Sequence, residues 1–266
     1  MQATKTSSVG ALLQRYRKAR QLSQLALANE AEISARHLCF LETGRARPSR
    51  EMVLLLANVL DIPLRERNSL LLAAGFAPIY SEGPLEARQL SKIKEALSAI
   101  LGQHEPFPAV VINREWDLVD ANRGAQRFFG FLRGAAEGPT NVLRMMLGPG
   151  GLRPMVSNWE EVAQTLIQRA HREALGGPQD PALQAVLTEV LAYPDVAACW
   201  RRAPKAAPAL PIIPVCFTKE GRSFSFFSTV TTLGTPQDVT AQELRIECFF
   251  PADDQTRHET RALGAC

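Results

Sequence analysis

The sequence predicts a multidomain chain, an all-α domain followed by an α+β domain, on three observations. Residues 8–76 carry helical periodicity broken by short turns. Beyond them, alternating apolar and polar residues mark two strand-like runs, a helix-rich stretch and three further strands. Finally, 266 residues exceed one small helical module, at roughly 100–200 residues per domain. Hydrophobic residues make up 46% and charged residues 21%, enough for a core in each domain and unlike a disordered chain.

The first helix is expected over residues 9–20, with Leu12, Leu13 and Tyr16 on one face and Arg15, Arg17 and Lys18 around it. Ser23 is placed to cap a second helix over 24–31. Ser34 is placed to cap a third over 35–43, which Gly44 ends. Pro48-Ser49 opens a fourth that runs to Leu60, Asp61-Ile62-Pro63 turns, and a fifth over 64–74 stops at Gly75. A linker over 77–84 leads into an amphipathic helix over 85–101. Strands over 109–112 and 116–121 form a hairpin across Asn113-Arg114-Glu115. Helices follow over 122–132, 142–147, 158–175 and 181–191, with Asn122 and Asn158 as caps. Strands over 212–218, 223–232 and 244–250 complete the domain, with Lys219-Glu220-Gly221-Arg222 as a tight turn and Asp238 in another.

The strands amount to a five-stranded, mostly antiparallel sheet with a helical insert and helices on one side. Leu244, Ile246, Cys248 and Phe250 alternate with Arg245 and Glu247, so the apolar set is expected on the core face, with Phe224, Phe226 and Val230 in the neighbouring strand. The division that results is residues 1–76, a connection over 77–105, a second domain over 106–255 and a tail over 256–266.

Charge separates the halves. Residues 1–80 hold 11 Lys+Arg against 6 Asp+Glu, whereas the remainder holds 19 against 21. A basic surplus confined to one small domain is the footprint of a nucleic-acid surface. Within it, residues 24–42 read QLALANEAEISARHLCFLE. Ala28 is small enough for two helices to cross closely, and Leu25, Ile33, Leu38 and Leu41 fall where both must bury side chains. The third helix is then held outward, so that its leading residues reach the major groove of double-stranded DNA. Gln24 is a candidate for a phosphate or an adjacent base edge. Ser34, Ala35, Arg36 and His37 open the recognition helix, where Arg36 can grip guanine O6 and N7 with two bonds. Arg15, Arg45, Arg47, Ser49 and Arg50 are phosphate candidates.

This pattern resembles the Cro-repressor-type, or XRE-family, helix-turn-helix regulators, with Glu32 where that family's turn often has Gly. It implies a lambda-repressor-like five-helix domain. The run 34–50, SARHLCFLETGRARPSR, narrows the resemblance to the MmyB-like group. PFPAVVINREWDLVDAN at 106–122, NWEEVA at 158–163, SFFSTVTTLGTPQDVT at 225–240 and ECFFP at 247–251 agree with it. The resemblance implies a C-terminal PAS-like domain that binds a small apolar or fatty-acid-like effector. Trp116, Phe128, Phe129, Met145, Met146, Trp159, Leu166, Phe224 and Phe226 are the candidates to line its pocket. The function expected is that of a homodimeric transcription regulator whose operator affinity responds to that effector.

Two alternatives stay open: a second domain that only dimerises or binds a protein, and a thiol switch through Cys39 on the recognition helix. No acid, base and nucleophile converge, and no phosphate loop or G-x-S-x-G elbow occurs, so an enzyme is not expected. His37, His104, His171, His258 and the five cysteines show no metal spacing, and no cofactor is implied. No apolar run approaches the roughly 18 residues of a membrane span and no leader is apparent, so the expected location is cytoplasmic.

Overall fold

Serine hydroxyls fix where the N-terminal helices begin. In the computed structural model, which describes residues 8–134, 138–175, 181–201, 212 and 214–264, Ser8, Ser23, Ser34 and Ser49 each accept a backbone N–H from the helix they precede. The helices are α1 (Val9–Ala19), α2 (Gln24–Glu30), α3 (Ala35–Glu42), α4 (Arg50–Val59) and α5 (Leu64–Ala73). Each stops one residue before its expected end because that residue, Arg20, Ala31, Thr43, Leu60 or Ala74, is the C-cap. Three of the turns reverse through a left-handed non-glycine residue, Gln21 at φ 56°, Glu32 at φ 53° and Asp61 at φ 47°. Each costs about 1 kcal/mol, which the packing around it must offset.

Leu13, Leu27, Ala28, Leu38, Leu41, Leu56 and Leu70 are all buried in the helical core. Leu25, expected to join them, is 62% exposed. At 3.6 residues per turn it lies about 200° around α2 from Leu27, so only one of the two can face inward. Leu27 takes the crossing beside Ala28. Gly10 lies where α1 meets the end of α3, and a Cβ there would sit 2.4 Å from the Leu41 carbonyl oxygen. A second backbone segment, Thr235–Gln242, belongs to this unit. Its Gln242 side chain accepts the Leu64 N–H at 2.7 Å, at a helix start that has no side-chain cap of its own.

The other unit is the described part of residues 84–175, 179–234 and 243–266. A 3-10 turn (Arg88–Leu90) leads into α6 (Ser91–Gln103), so the helix expected from residue 85 starts late. Then come β1 (Ala109–Ile112), β2 (Leu118–Ala121), α7 (Arg123–Arg133), α8 (Val142–Leu147), α9 (Trp159–Leu175), α10 (Pro181–Ala192) and α11 (Pro194–Trp200). The strands β3 (Val215–Lys219), β4 (Arg222–Thr232) and β5 (Arg245–Pro251) and helix α13 (Asp254–Leu263) complete this unit, while α12 (Val239–Glu243), between β4 and β5 in the chain, falls almost wholly in the helical unit's segment Thr235–Gln242. Residue 213 of the expected strand 212–218, and residues 1–7, 265 and 266, lie outside the described residues. β2 starts later than expected because Trp116 adopts φ 69° and the Asn113 N–H bonds the Asp117 carbonyl, which spends residues 113–117 on the bend. Where a tail was expected, α13 is capped by Asp253 and packs on β4, with the Thr256 hydroxyl accepting the Ser225 N–H at 2.8 Å.

The sheet order is β2-β1-β5-β4-β3, antiparallel throughout, which is a PAS-like arrangement. Glu220 and Gly221 make the tight turn at φ 52° and 75°, so Lys219 pairs Arg222. The orientation of β5 corrects the sequence reading. Val110 pairs Glu247 and Ser228 pairs Phe249, which puts Glu247 and Phe249 on the face that Val110 and Phe226 bury in the main core. Ile246 and Cys248 point the other way, where α6 contacts β1 and buries Leu97 and Leu101. Helices therefore cover both faces of this part of the sheet, and parity alone could not tell which was the core side.

Candidate functional site

The helix expected to enter a DNA groove is anchored from behind by a buried ion pair. Arg17 on α1 makes a two-pronged contact with Glu42 at the end of α3, at 2.6 and 2.8 Å. Gln24 adds a third bond to the same carboxylate at 2.8 Å. Burial pushes the Glu42 carboxyl up, but hydrogen bonds from Arg17, Gln24 and Gln14, with the Arg17 charge, together bring it below the usual carboxylate range. Hydrogen bonding to Glu42 in turn raises Arg17. Charge-assisted, bidentate contacts of this kind fix orientation. Here they hold α1, the start of α2 and the end of α3 in one register. Gln24, expected on a phosphate or base edge, thus gives one of its N–H groups to the fold.

At the opposite end of α3, Ser34 Oγ accepts the His37 N–H at 3.1 Å. Arg36 is exposed, with its guanidinium 5.4 Å from the Phe40 ring centre, so an aromatic on the next turn backs the cation. Ala35 and His37 are half-buried. After α3, Gly44 at φ 72° turns the chain, and the N–H groups of Arg45 and Ala46 both bond the Phe40 carbonyl. That closure leaves Arg45 and Arg47 exposed on a loop pinned by buried Pro48. Ser49 caps α4 with its hydroxyl, and Arg50 is exposed at the first helical position. Arg15 is exposed on α1. Arg17 and Glu42 are the residues that the sequence reading missed as a pair. Their signal was weak, because they lie 25 positions apart.

The sheet unit encloses a cavity of about 380 Å³. Of the nine candidate pocket residues, Phe129, Met145, Met146 and Leu166 line it. The other five, Trp116, Phe128, Trp159, Phe224 and Phe226, do not; they fill the core behind it. Phe128 packs edge-on against Phe217, Phe224 and Phe226 with centroids 5.1 to 5.3 Å apart. Trp159 gives its indole N–H to the Met146 carbonyl at 3.0 Å. Small and branched residues do much of the lining instead, among them Ala121, Ala125, Val142 and Val162. They leave space because they are short, which composition does not flag.

Beside the cavity lies a group of charged side chains between α9 and the sheet. Arg169 bonds Glu173 at 3.2 Å and Glu247 at 3.3 Å, and Arg245 pairs with Glu173. Trp116 gives its indole N–H to Glu173 at 2.9 Å, under the Arg169 guanidinium at 4.6 Å from its ring centre. The expected N-cap Asn158 serves β3 instead, bonding the Pro214 carbonyl and the Cys216 N–H. Asn122 does cap α7, accepting the Ala125 N–H at 2.8 Å. Asp238 caps α12 and accepts the Ser81 hydroxyl. Among the described residues no group of three or more His, Cys, Asp or Glu could hold a metal, and no helix is long and apolar enough to cross a membrane.

Comparison with known proteins agrees with both halves. A helix-turn-helix domain family matches residues 8–70, and the family described as the MmyB-like transcription regulator ligand binding domain matches residues 93–263. No curated protein matches the chain. A solved structure titled as an RNA-binding light-oxygen-voltage receptor is similar over 97% of this chain and 64% of its own, at 13% identity and a TM-score of 0.29. The present chain thus spans less than two thirds of that structure. With more than half its length matched, the chain belongs to the MmyB-like transcription regulators, a helix-turn-helix DNA-binding domain joined to a ligand-binding domain.

Proposed function

We propose that the protein is a sequence-specific, homodimeric repressor or activator whose affinity for its operator is set by a small apolar or lipid-like molecule in the sheet unit. The observation that carries the DNA half is the capped start of α3, where exposed Arg36 leads a helix that the Arg17–Glu42 pair anchors at its other end. Arg36 then reads a base edge, and Arg45, Arg47 and Arg50 hold phosphates. Dimerisation follows from contact area, since a single module of this size buries too little surface for tight binding. Half-sites about 34 Å apart match two such helices.

The cavity supports a ligand-binding second domain over one that only dimerises. Its 380 Å³ falls within the range of small-molecule sites, and its walls are mostly apolar. The chain binds and responds; it is not read as a catalyst. Native mass spectrometry of the full-length protein tests both halves together. The expected result is a dimer mass with a small molecule retained in a subunit. A monomer that carries nothing, after gentle purification and with added lipid extract, would contradict the reading.

A further inference from the structure

The sheet has one stretch of edge that its own unit leaves bare. On one side, β2 gives its Leu118 N–H to the Thr140 carbonyl at 2.9 Å. On the other, Val156 bridges β3 at Phe217, and Ser157 and Asn158 take the Cys216 carbonyl and N–H. β3 is short, however. It pairs β4 from Arg222 to Phe226, whereas β5 pairs β4 from Phe226 to Thr232. Among the described residues, no strand lies beside Ser228–Thr232 on the β3 side. The Ser225 carbonyl accepts the Ala252 N–H at 2.8 Å, so Ser225 bonds toward β5. Strand residues alternate in the side to which their backbone groups point, so Ser228, Val230 and Thr232 present N–H and C=O to the bare side. Thr229, Val230, Thr231 and Thr232 are exposed, Val230 by 44%.

Two features name the occupant. First, nothing guards this edge. Residues 226–233 hold no charge, proline or glycine and centre on β-branched threonine and valine, whereas bare edges are blunted with lysine, proline or a bulge. Second, Phe227–Leu233 reads FSTVTTL, nearly the same in either direction about Val230. Antiparallel pairing with itself sets Val230 opposite Val230, Thr229 opposite Thr231, Ser228 opposite Thr232 and Phe227 opposite Leu233. Every cross-strand pair is neutral and like with like, and the outward bonding groups meet in register. Gly234 comes opposite Phe226, where β3 begins, and there the chain has already bent out of the strand. A two-fold dimer needs a surface that complements itself, which this one does.

We infer that Ser228–Thr232 of β4 pairs with the same segment of a second copy of this chain, antiparallel about Val230, so that two five-stranded sheets become one. This rests on the homodimer reading and names the surface that makes the dimer. A single strand edge is small against the roughly 1,200 Å² that a stable interface buries, so the association is of micromolar strength.

The test is sedimentation velocity of the full-length protein without DNA, from about 1 to 100 μM, beside V230K and V230T. The unaltered protein should pass from monomer to dimer across this range, and V230T should stay within about threefold of it. V230K sets two like charges opposite each other, so it should weaken association at least about tenfold at an unchanged melting temperature. Equal association by V230K and the unaltered protein would overturn the edge and leave the homodimer reading in place. A monomer at every concentration would overturn both. Hydrogen exchange of the unaltered protein needs no variant to fold. The amide protons of Ser228, Val230 and Thr232 should exchange more slowly as concentration rises and the dimer forms. Exchange there that ignores concentration while a dimer forms would put the interface elsewhere. A monomer whose edge amides slow only when host extract is added would give the edge to another protein and overturn the second copy.

Discussion

On the proposed reading, exposed Arg36 and Arg47 have two different tasks in one small domain. Arg36 stands at the second position of a capped helix, over an aromatic ring, where a planar two-pronged donor can match a guanine edge. Arg36→Ala should cost about 1–3 kcal/mol of operator binding and relax preference at one position of each half-site. Arg47, on the loop after Gly44, should act on phosphate alone. Its replacement by Ala should weaken binding to all sequences alike and reduce the salt slope by about one. Titrations against operator and scrambled duplex at two salt concentrations separate these outcomes. Glu42 is a matter of stability. Removing its charge in E42Q leaves Arg17, itself 9% exposed, without a counter-ion, and should cost about 3–5 kcal/mol in urea denaturation. The Glu42 carboxyl is lowered in the folded state, so its contribution is complete above the unfolded value of about 4.3 and is lost as pH falls through the folded one. The unaltered protein should therefore lose stability in that acid range more steeply than E42Q.

At the scale of elements, the contact of α1 with α3 depends on a missing side chain. Gly10→Ala would drive a methyl to within 2.4 Å of one backbone carbonyl and 2.6 Å of another, so α1 must shift. Alanine favours a helix interior by up to about 1 kcal/mol, but the clash should outweigh this and lower the melting temperature. An unchanged or raised melting temperature would show that the crossing is looser than described. The same scale shows what the sequence made legible. Ser23, Ser34 and Ser49 announced helix starts because capping is local, a hydroxyl reaching an N–H three positions on. The Glu220-Gly221 turn was legible for the same reason. The inward face of β5 was not, since Arg245 and Glu247 become tolerable there only through Arg169 and Glu173, more than 70 positions away in the chain. The cavity wall was legible only in part: Phe129, Met145, Met146 and Leu166 border it, whereas Phe128, Phe224 and Phe226 close the core and short alanines and valines line much of the rest. The segment 235–242 joins the helical unit through side-chain bonds to Ser81 and Gly83, a return that no local pattern signals.

For the whole molecule, the proposal requires that effector and operator influence one another. Regulation of this kind needs a coupling of about 1–3 kcal/mol, or roughly 5- to 150-fold in operator affinity. The coupling must be reciprocal, so operator DNA should change effector affinity by the same factor. Equal effector affinity with and without operator would confine the cavity to a structural role. Beneath this lies the claim that α3 reads sequence. Its most direct test is selection of bound duplexes from a random pool by the full-length protein, with R36A run in parallel and lipid extract present or absent. We predict that the unaltered protein enriches a two-fold symmetric motif with half-sites one helical turn apart, and that R36A loses preference at one position of each half-site. Enrichment of no motif under either condition, or the same motif undiminished with R36A, would contradict it.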